Sequence, residues 1–282
     1  MNYHHTYHAG NFADVVKHMI LIELIIFLTS KSTPFCYIDT HAGLGYYDLL
    51  SEFAAKNKEY LNGIEKIIQQ EKPPPFIKHY LNSVQQTNRR LMPANYSSLR
   101  YYPGSSLIVR QCLRSHDRMI ACELQPKTYQ SLKTVFTNDK QIAVRLMDGY
   151  LALKAFIPPR EQRGLVFIDP PYEHPDEFNR MFQILPLILK RWRNGMIMIW
   201  YPIKEKTQIN RFFRTIKQTI HQTILINELS IYPDLPQHLN GCGIMIINPP
   251  WRFDQLMNKI LPWLWRVLAI NHQGQYRIEY LE

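Results

Sequence analysis

The chain has 282 residues, 46% apolar and 12% aromatic, enough to core one large or two modest domains and to exclude disordered, collagen-like and small disulfide-scaffold classes. Thirty-three Lys and Arg against 23 Asp and Glu leave a formal charge of +10. That balance favours polyanionic partners, either nucleic acid or an anionic membrane surface.

From the N-terminus, Tyr3-His4-His5-Thr6-Tyr7-His8 places three histidines within five residues. No acid or cysteine beside them completes a metal site, so no metal is expected, and a substrate-contacting arm is the functional reading. Residues 13–29 read as a helix. Its most apolar part, Met19 to Thr29, spans 11 residues and includes Glu23, whereas a membrane-spanning helix needs about 20 apolar residues. It begins late for a secretory leader and has no small-residue cleavage pattern, so a buried helix is expected and no membrane partner. Cys36, Cys112, Cys122 and Cys242 form no C-x-x-C pair, which points to free thiols in a reducing cytoplasm.

Phe35 to Asp39 reads as a strand ending in an acid, before Gly43 and Gly45. Further apolar strands are expected near 118–124, 142–147, 164–169, 195–201, 223–229 and 242–247. Helical patterns fall near 106–114, 127–136, 176–191 and 205–219. Seven strands alternating with helices predict an α/β fold on a largely parallel sheet. Between Gly45 and Tyr101 only helical patterns occur, around 51–70 and 75–90, broken by Pro73-Pro74-Pro75. Residues 47–100 are therefore expected to form a small helical insertion in a core built from 1–46 and 101–282.

Asp39-Thr40-His41-Ala42-Gly43-Leu44-Gly45 suits a nucleoside-binding turn, because glycine lets backbone and ligand approach closely. Asp48 stands where a dinucleotide fingerprint has its third glycine, so a plain loop is equally open. Asp169-Pro170-Pro171-Tyr172 is sharper. It ends the strand Leu165 to Ile168 and resembles the signature of amino-methyltransferases, which move a methyl group from S-adenosylmethionine to an exocyclic or amide nitrogen. An exocyclic amine shares its lone pair with the ring. The Asp169 carboxylate and the Pro170 carbonyl can accept both amino hydrogens and localise that pair. The prolines fix the backbone that aims the carbonyl, and Tyr172 can stack on an extruded base. Glu123, at the end of the second core strand, is placed for ribose hydroxyls. Asp148-Gly149 follow the third strand, where they could contact the donor's adenine. Asn248-Pro249-Pro250-Trp251 fits the same pattern, but the last strand of such folds runs antiparallel. Asn248 is accordingly assigned a structural role.

Between Lys190 and Lys217 lie eight Lys or Arg and one acid, with Trp192, Phe212 and Phe213 interleaved. A phosphate-binding patch and a pair of solvated helix faces with inward aromatics are equally open.

Taken together, Tyr7-His8-Ala9-Gly10-Asn11, Ala13-Asp14-Val15 with Lys17-His18, Asp39 to Gly43, Tyr101-Tyr102-Pro103-Gly104-Ser105, Asp169 to Tyr172 and Asn248 to Trp251 resemble one family over nearly the whole chain. It is the bacterial 23S ribosomal RNA adenine(2030)-N6 methyltransferases, or ribosomal RNA large-subunit methyltransferase J. The resemblance implies a Rossmann-like class I S-adenosylmethionine-dependent methyltransferase that methylates N6 of an adenine in 23S rRNA; a monomer is expected, although the sequence itself carries no signal of oligomeric state. It implies that His18, His41, Ser105, Glu123, Asp148, Gly149 and Asp169 contact the donor. Asp169 matches the catalytic position, Tyr3 the tyrosine that acts on RNA, and His5 and Lys17 further positions near the site. The chain departs from the family in reading Tyr3-His4-His5 where Tyr-Arg-His is common, and in Phe12, often polar. DNA adenine methylation, protein glutamine methylation and a non-catalytic RNA-binding role are the competing readings.

Overall fold

The central strands are continuous apolar runs rather than alternating ones because helices cover both faces of their sheet. The computed structural model describes residues 5–93, 98–173, 176–204, 206–233, 235 and 238–281. After a 3-10 turn at His5–Tyr7 come α1 (Phe12–Thr29), β1 (Cys36–Asp39) and β2 (Tyr46–Asp48). The next stretch carries α2 (Glu52–Asn57), a 3-10 turn at Glu59–Asn62, α3 (Ile64–Ile68) and α4 (Lys78–Leu91), and returns through β3 (Tyr101–Pro103). The alternation then resumes with α5 (Ser105–Cys112), β4 (Arg118–Glu123), α6 (Pro126–Val135), β5 (Ile142–Leu146), α7 (Gly149–Phe156) and β6 (Gly164–Ile168). It continues with α8 (Glu177–Arg191), β7 (Met196–Ile203), α9 (Lys206–Thr219), β8 (Ile224–Ser230), β9 (Gly241–Ile247), α10 (Phe253–Leu268) and β10 (Gln275–Tyr280).

The main sheet runs β10-β8-β9-β7-β6-β1-β4-β5. Strands β5, β4, β1, β6 and β7 pair in parallel, and β9 enters antiparallel between β7 and β8. Seven strands were expected and all are present; among the described residues the sheet has an eighth, β10, antiparallel to β8. Its sequence, QYRIEY, is polar and mostly exposed, so apolar periodicity could not mark it. The edge strand β5 is half-exposed rather than buried, for the same reason of position. A second, two-stranded ribbon joins β2 to β3, at the two ends of the stretch that reads as helical only.

Helix α1 is buried nearly all round. It packs on β6 and β9 and is flanked by α4, α5 and α10. Phe12 is buried at its first turn. On the opposite face α7, α8 and α9 enclose a second apolar core that contains Trp192, Phe212 and Phe213. The aromatics of the 190–217 segment therefore face inward, while Arg211, Arg214 and Lys217 are exposed. No helix among the described residues is long and apolar enough to cross a membrane.

The register also separates the two Pro-Pro elements. β6 runs parallel to β7 and ends with Ile168 paired to Ile199, whereas β9 runs antiparallel and ends with Ile247 paired to Ile197, near the start of β7. Asp169 and Asn248 thus leave the sheet at opposite edges. Asn248, at φ 55°, donates from Nδ2 to the carbonyls of Arg193 (2.9 Å) and Gly195 (2.8 Å). We expect Asn248→Ala to lower the melting temperature by a few degrees, as loss of about 1–2 kcal/mol would, and to leave kcat for methyl transfer within about twofold. A loss as deep as that of an Asp169 variant would reverse the assignment.

Candidate active site

A cavity of about 350 Å³ opens at the C-terminal edge of the parallel strands, where α/β folds bind ligands. The chain leaving β1 builds its floor. Thr40 N donates to Phe167 O and Ala42 N to Cys122 O, which stitches the turn between β6 and β4. Gly43, at φ 62°, adopts a conformation that strains any residue with a Cβ, and its N–H donates to Glu123 Oε2 at 3.1 Å. Gly149 is needed for space: a Cβ there would stand 2.3 Å from the Thr40 carbonyl oxygen.

One half of the cavity is lined by Gly43, Leu44, Glu123, Leu124, Asp148 and Gly149. Glu123 Oε1 accepts from Gln125 N (2.8 Å), and burial raises its carboxyl. Asp148 Oδ1 caps α7 by accepting from Tyr150 N and Leu151 N, and Oδ2 accepts from Arg180 Nη2 at 2.6 Å. Burial pushes Asp148 upward, but the Arg180 and backbone hydrogen bonds overcome it and hold the carboxyl below its ordinary range. His41 also faces this half. Burial pushes its imidazole down to about 4, so the ring is neutral near pH 7.

The other half is walled by His5, Thr6, His8, Lys17, Trp200 and Lys204. Asp169 lies between the halves. Its Oδ2 accepts from Lys17 Nζ at 2.7 Å, and the same ammonium donates to Asp14 Oδ1 at 2.8 Å. Burial opposes the charge on Lys17, but the two carboxylates outweigh it and hold the ammonium well above its usual range. Asp14 Oδ2 in turn accepts from Gly10 N (2.9 Å) and His5 Nε2 (3.0 Å). Pro170 lines the cavity directly after Asp169. Tyr172, at φ 51°, donates its hydroxyl to Trp200 O (2.7 Å), and its ring packs on Phe178 and Trp200.

His18 and Ser105 line the cavity from behind. His18 Nδ1 is 2.8 Å from Tyr102 Oη, and burial takes its imidazole down to about 3. Ser105 Oγ donates to Asp39 Oδ2 at 2.7 Å, beside Tyr37 Oη at 3.0 Å. Burial raises Asp39 to about 6 against those hydrogen bonds. Every site residue expected from the sequence thus lies around one cavity, except Tyr3, which falls outside the described residues. Sequence reasoning assigned no role to Asp14 or Arg180. Asp14 was legible as the acid three residues before Lys17, on the same helix face. Arg180 meets Asp148 only through the packing of α8 on α7, and no sequence spacing signals it.

The insertion of the last core strand between two parallel neighbours, above a cavity at the strands' C-terminal edge, is the arrangement of a class I methyltransferase. A family model described as ribosomal RNA large subunit methyltransferase D, RlmJ, matches residues 32–282. Over 282 residues the chain is 39% identical to ribosomal RNA large subunit methyltransferase J of Escherichia coli (strain K12), covering 100% of this chain and 99% of that protein. It is 38% identical to the protein of the same name from Haemophilus influenzae (strain ATCC 51907 / DSM 11121 / KW20 / Rd), with the same coverage. The crystal structure of protein LPL1258 from Legionella pneumophila str. Philadelphia 1 superposes with a TM-score of 0.88 at 35% identity, covering 96% of this chain and 98% of that one. The chain belongs to the ribosomal RNA large subunit methyltransferase J family.

Proposed function

We propose that this protein transfers a methyl group from S-adenosylmethionine to N6 of an adenine in 23S rRNA, the adenine for which the family is named. The observation that carries the reading is Asp169, fixed through Oδ2 on a buried ammonium between an acid-lined half-cavity and a half walled by the N-terminal segment.

The first half fits the donor. Glu123 accepts from the backbone N–H groups of Gly43 and Gln125, one on each carboxylate oxygen, and lone pairs remain for ribose hydroxyls. Leu124 is 50% exposed at the cavity, an apolar side chain on which a planar base can lie. Asp148 can accept from an adenine amino group. Bound there, S-adenosylmethionine supplies a methyl group made electrophilic by its sulfonium. The chain's own residues do the rest. Asp169 Oδ1 and the Pro170 carbonyl accept the two hydrogens of the target amine and turn its lone pair toward the donor side. Lys17 holds Asp169 Oδ2 and stops the carboxylate from rotating. The methylated nitrogen must lose a proton, and the Asp169 carboxylate is the base within reach. Tyr172, its hydroxyl held by Trp200, offers a ring edge of fixed orientation to an extruded base. Four free thiols suit a reducing cytoplasm.

Transfer of a tritiated methyl group to RNA, DNA and protein from the same cells tests the substrate class. Label in large-subunit RNA is expected; label confined to DNA or to glutamine side chains would overturn the reading. If the exposed arginines of α9 face the RNA, the double variant Arg211→Glu/Arg214→Glu should lower the slope of log affinity against log salt by about 0.7–0.9 for each phosphate that is no longer neutralised. An unchanged slope would make that face a solvated surface.

A further inference from the structure

The chemistry at Asp169 makes no direct use of Tyr7-His8-Ala9-Gly10-Asn11, yet this stretch is fastened at several points to the helical segment that follows β2. Glu59, on the 3-10 turn before α3, accepts from His8 Nδ1 at 2.9 and 3.0 Å and from Asn11 Nδ2 at 2.9 Å. Asn11 is the N-cap of α1, its Oδ1 accepting from Asp14 N at 3.0 Å. A backbone seam runs beside this contact. Ile64 N donates to Gly10 O at 2.8 Å, and a Cβ on Gly63 would lie 2.0 Å from that same oxygen. Tyr7 packs edge-on against Phe53. A hydrogen-bonded path therefore runs from Glu59 through Asn11, Asp14 and Lys17 to Asp169. The segment so held brings His5, Thr6 and His8 to the cavity wall.

We propose that Glu59 is a positioning residue for the acceptor side of the site: it anchors residues 5–11 where His5 and Thr6 wall the place a target base occupies. The proposal rests on reading the cavity as a methyltransferase site. Glu59 touches neither half of the cavity's donor chemistry, so its loss should be felt by RNA and not by the donor. The anchor has an ionic part. The Glu59 hydrogen bond, opposed by burial and helped by the charges of Glu59 and Asp14, raises the His8 imidazole, with Lys204 working against it. A raised histidine pKa means the ionic anchor is complete below the ordinary value and fades as pH rises through the folded one.

The test uses the full chain with Glu59→Ala and Glu59→Gln, calorimetric titration with S-adenosylhomocysteine, and steady-state kinetics on 23S rRNA. For Glu59→Ala, kcat/KM for RNA should fall by about ten- to hundredfold, as for a misplaced binding wall. Affinity for S-adenosylhomocysteine should stay within about twofold, and Glu59→Gln, which can still accept from His8, should recover most of the loss. Wild-type kcat/KM for RNA should also decline as pH rises through the His8 pKa, a limb that Glu59→Gln lacks. Unchanged kcat/KM in Glu59→Ala, or equal losses for RNA and S-adenosylhomocysteine, would overturn the proposal. Should Glu59→Ala fail to fold, a Glu59→Gln profile with the wild-type limb would overturn it as well. Failure of the underlying reading would look different, because the wild type itself would then put no methyl group on RNA adenine.

Discussion

Asp169→Ala is expected to lower single-turnover methyl transfer by about 10²- to 10⁴-fold at saturating donor and RNA, the range for loss of a positioned proton acceptor. The fold should survive. Lys17 is left with Asp14, which by itself balances the ammonium, so no buried charge is stranded. The Asp169 side chain is also 16% exposed at a strand end and fills no core space. Asp169→Asn should be intermediate in RNA binding, since it keeps an oxygen for the amine, but close to alanine in turnover, since an amide takes up no proton. Donor affinity should weaken less than turnover in both variants. Turnover near wild type in Asp169→Ala would remove the residue from the chemistry.

Lys17→Met should have the largest effect on stability. The substitution keeps the length of the side chain and removes the charge between two carboxylates. Asp14 is 2% exposed and then loses its ammonium partner, keeping only the contacts with His5 and the Gly10 N–H and those within its own helix turn. Breaking one side of a buried ion pair typically costs about 3–5 kcal/mol, which urea denaturation would read directly. Burial works to raise the Asp14 carboxyl, and in the intact protein His5 and Lys17 more than reverse that, holding it well below its ordinary value. With Lys17 gone the burial effect should prevail and the folded pKa of Asp14 should rise above its unfolded value. A group raised in that way is stabilised in its protonated form, so the deficit at pH 7 should shrink as pH is lowered through the new pKa. Methyl transfer should fall as well, because Asp169 Oδ2 loses its anchor. A variant as stable as wild type across that range would mean that the His5–Asp14 contact suffices.

The sequence announced its buried parts better than its exposed ones. Strands covered on both faces, such as Leu165 to Ile168, stand out as apolar runs. The edge strand β10 does not, because most of its residues face water and it is tied to β8 by backbone pairing and an Arg277–Glu228 ion pair rather than by an apolar run. The ribbon of β2 and β3 joins residues more than fifty positions apart, and three-residue strands carry no usable period. At the site, the acids at strand ends were legible because the fold brings every such end to one edge. The antiparallel course expected of β9 separated Asn248 from Asp169, and the register agrees. What spacing could not supply is the charge balance: that Lys17 serves Asp14 and Asp169 together, or that Arg180 holds Asp148. Those pairings come from helices meeting the sheet edge from different parts of the chain. The aromatics of 190–217 had two open readings, and burial in the core beneath α8 and α9 leaves them no part in stacking on bases.

The central claim is that Asp169 directs a methyl group to the exocyclic nitrogen of an RNA adenine. It is tested most directly by incubating the wild-type chain and Asp169→Ala with S-adenosylmethionine and unmethylated 23S rRNA, then digesting the RNA to nucleosides for mass spectrometry. The account predicts N6-methyladenosine as the new nucleoside with the wild type and almost none with the variant. A methyl group on another base or ring position, or equal N6-methyladenosine from both proteins, would contradict it.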